Sequence, residues 1–330
     1  MTPVKSAGKL HVGRALWYVA PGRVEIRPER LSVPGPGEAL VRTLYSGVSR
    51  GTERLISQGM VPSSEWQRMR APMQAGDFPF PVKYGYCATG VIEDGPDDLV
   101  GRTVFCLHPH QDRFVAPLDM LCAVPPAVPA RRATLAANME TALNAHWDAA
   151  TGPSDRIVIV GAGIVGLLVA VIGARLPGAD VTVIDIDPGR RDIVTQLGAR
   201  FCLPADAPAD ADVVFHTSAS APGLATAIGC AGLESRVVEL SWYGDKQIAA
   251  PLGGAFHARR VQLISSQVGQ VAASRRPRWS YRRRLLAALK LLEDTRLDPL
   301  VAEEIAFEET PRHLPALLAD AKGLAPVVKY

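Results

Sequence analysis

Three glycines in VIVGAGIVGLL stand in G-x-G-x-x-G spacing: Gly161, Gly163 and Gly166. Each does a separate job in a turn that grips a dinucleotide. Gly161 allows the tight turn, Gly163 lets the backbone approach the pyrophosphate, and Gly166 lets the helix pack close to the strand. The helix that opens there offers unpaired N–H groups and a positive dipole end to phosphate. The spacing alone is weak. Here it follows the strand-like RIVIV and precedes a second strand-like run, VTVID, ending on Asp185. A carboxylate at that place suits adenosine ribose hydroxyls and repels a 2′-phosphate, so NAD(H) is favoured. NADP(H) stays open, because Arg190 or Arg191 can reach a phosphate. The plainer readings are a packing turn and a strand-end turn residue.

These residues need a scaffold, and the chain supplies its outline. From Arg156 onward, apolar strand runs alternate with helical ones: RIVIV, DVTVID, RFCL, ADVVFHT and RVVELS. That alternation predicts an α/β doubly wound parallel sheet. Before it, from about Ala15 to Val124, EALVRTLYSG, ATGVIEDG, GRTVFCL and DRFVAP read as short strands broken by Gly, Pro and Asp, a barrel-like β domain. Helical spacing takes over from Pro129 to Ala150. After VQLISSQVG come a helix over Tyr281–Glu293, another over Pro311–Asp320, and a terminal strand in APVVKY.

Bulk composition narrows the class. A chain of 330 residues with 48% hydrophobic and 21% charged residues is globular and long enough for two cores. A net charge of +3 implies no polyanionic partner. Cys87, Cys106, Cys122, Cys202 and Cys230 are scattered, which suits reduced thiols in the cytoplasm and neither a disulfide framework nor a zinc knuckle. The opening MTPVKSAGKLHVG has no apolar core of a secretory signal. IVIVGAGIVGLLVAVIGARL is long enough to span a membrane, but its glycine spacing reads as a buried βα unit.

The chain resembles the medium-chain dehydrogenase/reductase family. SGVSRGTE, VKYGYCATGVIEDG, LAANMETALNA, VIVGAGIVGLL, VIDIDPGRRDIVTQLGA, RVVELSWYG and LISSQVG carry the resemblance. It implies a GroES-like β-barrel domain over 1–135, a Rossmann domain over 136–264, a return to the first domain over 265–330, and a homodimer. It also implies a cleft for nicotinamide and substrate. The family's zinc ligands fall on Ser49, Tyr86 and near Ala137. A hydroxyl, a phenol and a methyl group cannot build a zinc site, so no zinc is expected. SGVSRGTE followed by Gly85-Tyr86 is similar to the subgroup named for bacteriochlorophyllide a dehydrogenase, which oxidises a hydroxyethyl group on a chlorin ring with NAD.

The resemblance also allots roles. Hydride transfer to a carbonyl leaves charge on oxygen, and without a metal a hydrogen-bond donor must stabilise it. Tyr86 is the first candidate acid, with Lys83 or Arg50 as a cation to lower its pKa. Ser49 is a weaker donor. Thr52 replaces a relay hydroxyl, because Gly51 stands at the usual relay position. Glu53 is read as orienting Tyr86 or pairing with Arg50 or Arg54. Arg50, Tyr84, Glu140 and Asn144 are read as substrate-facing. The cofactor set is Gly161, Gly163, Ile164, Val165, Asp185, Arg190, Ser218, Ser241 and Val268.

Other features have bland readings. His146 is read as a satisfied or exposed histidine, and the H-x-H of His108 and His110 as lacking a third ligand. The run SRRPRWSYRRR, Ser274–Arg284, is a solvated helix start, a recruiter of anionic substrate, or an RNA contact through arginine and aromatic residues. Trp66, Met69, Met73 and Phe78 form an apolar wall or a lid. The expected function is hydride exchange with a secondary alcohol or ketone. Enone or quinone C=C reduction is the alternative, and a non-catalytic nucleotide-responsive binding protein the reading from another class.

Overall fold

The computed structural model describes residues 11–320 and 323–330. Residues 1–10, over which the lack of a secretory signal is read, lie outside the described residues. Contacts divide the chain into two units. One comprises Met1–Ala137 and Val301–Tyr330, the other Asn138–Leu300.

The first unit is built from two sheets. His11–Ala20 and Arg23–Leu31 form an antiparallel hairpin, extended by the short strands Val82–Lys83 and Ala75–Gly76. The second sheet runs Glu304–Ala306, Val327–Lys329, Glu38–Gly47, Ala88–Asp94, Thr103–Cys106 and Cys122–Ala123, with Arg113–Pro117 also paired to Glu38–Gly47. EALVRTLYSG, ATGVIEDG, GRTVFCL and DRFVAP all fall on these strands. Their inward residues include Leu40, Ile92, Phe105 and Phe114, each no more than 2% exposed. The strand Val327–Lys329 pairs with Tyr45–Gly47 on one side and Glu304–Ala306 on the other, just ahead of the helix Arg50–Ser57.

The second unit holds six strands, every pair parallel, in the order Arg200–Cys202, Asp180–Ile184, Arg156–Val160, Ala211–His216, Ala231–Glu239, Gln262–Ser265. RIVIV and ADVVFH are near-continuous apolar runs, as a sheet covered on both faces requires. The chain order reverses between Arg156–Val160 and Ala211–His216. The carboxyl ends are level: Val160 stands beside Ile184 and His216, and His216 beside Glu239. That level edge is where an open α/β sheet takes its ligand.

The helical spacing over Pro129–Ala150 falls on two helices, Ala130–Ala133 and Ala136–Ala149. One boundary is corrected. Residues 265–300 group with the second unit, not the first. The helix Tyr281–Leu291 explains this, because its Arg284 reaches back to Glu140 and Asn144.

Candidate active site

The glycine loop has the expected shape. Gly161 has φ +112, and a Cβ there would press on Thr217 Oγ1 and the Ser218 amide. A Cβ on Gly166 would collide with the Gly161 carbonyl and Thr217 Oγ1, so the helix Ile164–Gly173 lies on its strand at a distance only glycine permits. Gly163 differs. It is exposed, and a Cβ there would meet no atom within 4 Å. The structure packs nothing against Gly163, so its lack of a side chain leaves space for a ligand. Ile164 and Val165 form the first turn, whose amides have no intrahelical partner.

Asp185 follows the neighbouring strand. Its Oδ2 accepts from the Ala162 amide at 2.6 Å and its Oδ1 from the Asp187 amide at 2.9 Å. The carboxylate thus ties the glycine loop to the next strand end and keeps further acceptor capacity. Arg190 lies 3.7 Å from Asp187, and Arg191 stacks over Phe201 at 4.8 Å. These residues fit the adenosine half of a nicotinamide dinucleotide.

On the other side of the strand-order reversal lies a polar cluster. His216 is buried; its Nε2 is 2.7 Å from Ser218 Oγ and its Nδ1 2.7 Å from Glu239 Oε2. The Tyr243 hydroxyl donates to Glu239 Oε2 at 3.1 Å, and the Ser241 amide to Oε1 at 2.8 Å. Ser241 Oγ accepts from the Ala219 amide at 3.1 Å. Burial would raise the Glu239 carboxyl, but His216 and Ser241 outweigh it and hold it below its ordinary value. Val268 contributes its carbonyl to Arg284 Nη2 at 2.5 Å. Ser218 and Ser241 were expected here; His216, Glu239 and Tyr243 were not. A histidine closing the apolar strand ADVVFH was the signal.

In the first unit the Tyr86 hydroxyl donates to Ser49 Oγ at 2.5 Å, and Thr52 also hydrogen-bonds the phenol. Ser49 is the N-cap of the helix Arg50–Ser57, but its side chain caps nothing. Glu53 reaches back to the Ser49 amide at 2.7 Å instead, which leaves the hydroxyl to Tyr86. Burial raises the Tyr86 pKa, helped by Cys87 and Glu53 and opposed by Ser49 and Thr52.

No cation stands among the groups that shift the phenol. Lys83 pairs with Glu29 at 2.7 Å and with Gln111 at 2.9 Å. Arg50 donates to the carbonyls of Leu317 and Gly323, bracing the helix start. The expected cationic assistance is therefore corrected, as is a substrate-facing Arg50. Glu53 pairs with neither Arg50 nor Arg54. It is fully buried and accepts from Tyr18 at 2.6 Å and from His110 Nε2 at 2.9 Å. His110 Nδ1 meets Ser46 Oγ at 2.6 Å, which in turn meets Tyr330 at 2.8 Å. Tyr84, 3% exposed, is a core aromatic against Phe78 and Tyr86 rather than a substrate contact. Trp66, Met69 and Met73 are half-buried, while Phe78 is buried.

Glu140 and Asn144 are also corrected. Arg284, 2% exposed, donates to Glu140 Oε1 at 2.9 Å and to Asn144 Oδ1 at 2.6 Å. The Ala272 amide takes the same Asn144 oxygen at 3.0 Å. Both residues are engaged internally and hold the 268–284 segment. Of the arginine run only Arg284 is buried; Arg275, Arg276, Arg278, Arg282 and Arg283 are exposed, as a solvated helix start requires. Arg276 donates to the Val271 carbonyl, and Arg283 lies 4.1 Å over Trp279. His146 bonds the Val169 carbonyl and Thr151, with its pKa lowered to about 4 by burial. His108 stacks on Phe114.

The residues present do not fit a zinc ion. Ser49 and Tyr86 bond one another, and Ala137 brings only a methyl group. Among the described residues no three His, Cys, Asp or Glu side chains gather to hold a metal. Nor is any helix among them long and apolar enough to cross a membrane.

No family model matches the chain. Solved structures resemble it over almost all of its length. L-idonate 5-dehydrogenase from Escherichia coli superposes with a TM-score of 0.79 at 13% identity, covering 98% of this chain and 99% of that one. 2R,3R-butanediol dehydrogenase from Bacillus subtilis gives 0.78 at 15% identity, over 96% and 99%. A short chain alcohol dehydrogenase from Escherichia coli, solved with NADH, gives 0.75 at 15% identity, over 97% and 99%. At such identities the likeness speaks of architecture, and the architecture agrees with the two units described above: this chain has the fold of these dehydrogenases, a GroES-like barrel unit and a Rossmann unit.

Proposed function

We propose that this chain is a zinc-independent, NAD(H)-dependent oxidoreductase that exchanges a hydride with a secondary alcohol or ketone. We also place it in the subgroup that bacteriochlorophyllide a dehydrogenase names. The observation that carries the reading is the open amide turn at Gly163, joined through Asp185 to the neighbouring strand end. It is a dinucleotide cradle with an acid where ribose hydroxyls are bound.

When bound, the nicotinamide supplies the hydride. The chain's own residues deal with the oxygen. As a carbonyl carbon takes the hydride, its C=O π pair moves onto oxygen, and the Tyr86 phenol gives that oxygen its proton. Burial makes Tyr86 a weaker acid than free tyrosine. An alkoxide is still the stronger base, because an alcohol is a weaker acid than a phenol. Proton transfer in the reducing direction is therefore downhill. Ser49 and Thr52 hold the phenol in place and can relay a proton back to it. The first step of alcohol oxidation, which needs a phenolate, is disfavoured at neutral pH.

The raised pKa also supports a second reading. Reduction of an activated C=C bond depends more on placing the hydride than on acid strength. One assay separates the two. NADH oxidation is followed with ketones and with enones, for the native chain and Tyr86→Phe. Loss of about 10²–10⁴-fold in ketone reduction supports Tyr86 as acid. Unchanged turnover with enones supports C=C reduction. Dialysis against a chelator leaves activity intact. The reading fails if the protein binds neither NADH nor NADPH, or if activity tracks stoichiometric zinc.

A further inference from the structure

Between the helices Ala136–Ala149 and Tyr281–Leu291 the second unit carries an open groove of about 800 Å³. Every residue lining it falls between Leu143 and Arg296, inside that unit. The groove is not the dinucleotide cradle. Arg175, one of its lining residues, follows the helix Ile164–Gly173 at the end remote from the glycine turn. That helix has ten residues, so it is about 15 Å long. Trp147, on the opposite wall, stands near the end of the helix that leads to the amino end of the strand Arg156–Val160. An open α/β sheet takes its ligands at the carboxyl ends of its strands. This groove lies toward the other end.

Its chemistry is unbalanced. Four cations and two acids line it: Arg175, Arg275, Lys290 and Arg296 against Glu293 and Asp294. Asp294 is taken by Arg175 and Arg296, each at 2.7 Å. Among the described residues, the side chains of Arg275 and Lys290 make neither an ion pair nor a hydrogen bond. Both are exposed. Arg275 lies over the Trp147 ring at 5.6 Å, and a stacked guanidinium keeps its N–H edge free to donate. Trp147 and Trp279 meet at 4.7 Å between ring centroids, tilted by 55° and only half-buried. Neither indole N–H bonds a described residue. The groove thus offers aromatic surface and uncommitted donors, and asks for a flat body carrying an acceptor.

We propose that this groove is a second ligand site of the chain, for a small planar aromatic acid. The ring system lies against Trp147 and Trp279. The carboxylate takes the donors of Arg275 and Lys290. Glu293 and Asp294 stand among the same residues and repel a phosphate backbone running past them, so one compact anion suits the groove better than a nucleic acid does.

Naphthalene-2-carboxylate and naphthalene-2-methanol share a ring system and differ in charge. Isothermal titration calorimetry follows both with the native chain, with the double variant Arg275→Gln/Lys290→Gln and with Trp279→Leu, and melting curves check that each variant is folded. The native chain is expected to bind the carboxylate at a single saturable site at least about tenfold more tightly than the alcohol. The double variant, altered only at exposed side chains, should lose that preference and bind the two alike. Trp279→Leu should weaken both by about tenfold. Saturating NADH should displace neither. The proposal is overturned if the native chain does not bind the carboxylate, if it binds the alcohol equally well, or if the double variant keeps the preference. Displacement by NADH overturns it too, because the naphthalene then sits in the dinucleotide cradle. So does a single-stranded oligouridylate that binds through Arg275 and Lys290 where the carboxylate does not. The cofactor reading is judged separately, by NADH binding to the native chain.

Discussion

Glu53 and His110 meet at 2.9 Å inside the β-barrel unit, where neither side chain is more than 1% exposed. The pair does more than satisfy itself. The same carboxylate takes the Tyr18 hydroxyl from the hairpin and the Ser49 amide from the start of the helix Arg50–Ser57. Three separate pieces of chain therefore converge on one buried acid. Because Glu53 caps the Ser49 amide, the Ser49 hydroxyl is available to Tyr86. The proposed acid owes its position to a group that does not touch it.

This arrangement makes stability depend on pH. Burial alone would raise the Glu53 carboxyl, but His110, Tyr18 and Ser49 together hold it below its ordinary value. A depressed carboxyl contributes stability above its unfolded pKa, about 4.3, and loses it as pH falls through the lower folded value. Glu53→Gln should cost about 3 kcal/mol at pH 7. Denaturant unfolding at a series of pH values should show that gap narrowing below about pH 4.3. A gap that stays constant into acid means the charge of Glu53 contributes nothing.

The Tyr86 pKa is raised by burial, with no cation to counter it. The proposed acid thus stays protonated throughout the range in which the protein can be assayed. In carbonyl reduction, kcat/KM should show no decline assignable to an acid with a pKa below about 10, the value of free tyrosine. A descending limb near pH 7 or 8, absent in Tyr86→Phe, would mean that a cation reaches the phenol after all.

Separation along the chain decided what could be read from sequence. The glycine loop, Asp185 and the strand alternation are local patterns, and the spacing of a few residues sets them. The partners of the other candidates are remote. Arg284 is 144 residues from Glu140, and Arg50 is 267 from Leu317. Nothing near Glu140 or Arg50 in sequence hints at those partners, so both looked available to a substrate. His110 and Glu53, 57 residues apart, are joined only by barrel closure. The bound at residue 265 was misplaced for the same reason, since the anchor of 265–300 is a contact made by Arg284.

That anchor carries its own expectation. Burial raises the Glu140 carboxyl and Arg284 pulls it down. Arg284→Met leaves Glu140 without its cation and frees the carbonyls of Val268 and Gln270. Unfolding free energy should fall by about 3–5 kcal/mol. Adding Glu140→Met removes the stranded acid, and the double variant should be more stable than Arg284→Met alone. If the second substitution deepens the loss, the carboxylate was not the source of the damage.

Gly163 and Gly166, three residues apart, separate ligand binding from packing. A Cβ on Gly166 strikes the Gly161 carbonyl and Thr217, so Gly166→Ala must push the helix off its strand. A Cβ on Gly163 meets nothing within 4 Å, and its backbone, φ −75 and ψ 179, suits any residue. Gly163→Ala should change stability by no more than about 0.5 kcal/mol. It should nevertheless weaken NADH by more than about tenfold, because the methyl group occupies the space through which the backbone approaches the pyrophosphate. Gly166→Ala should instead lower the melting temperature and lose NADH and ADP together. Thermal melts and fluorescence titrations on the two variants decide the matter. If Gly163→Ala binds NADH as tightly as the native chain, the open turn at Gly163 is not a phosphate cradle.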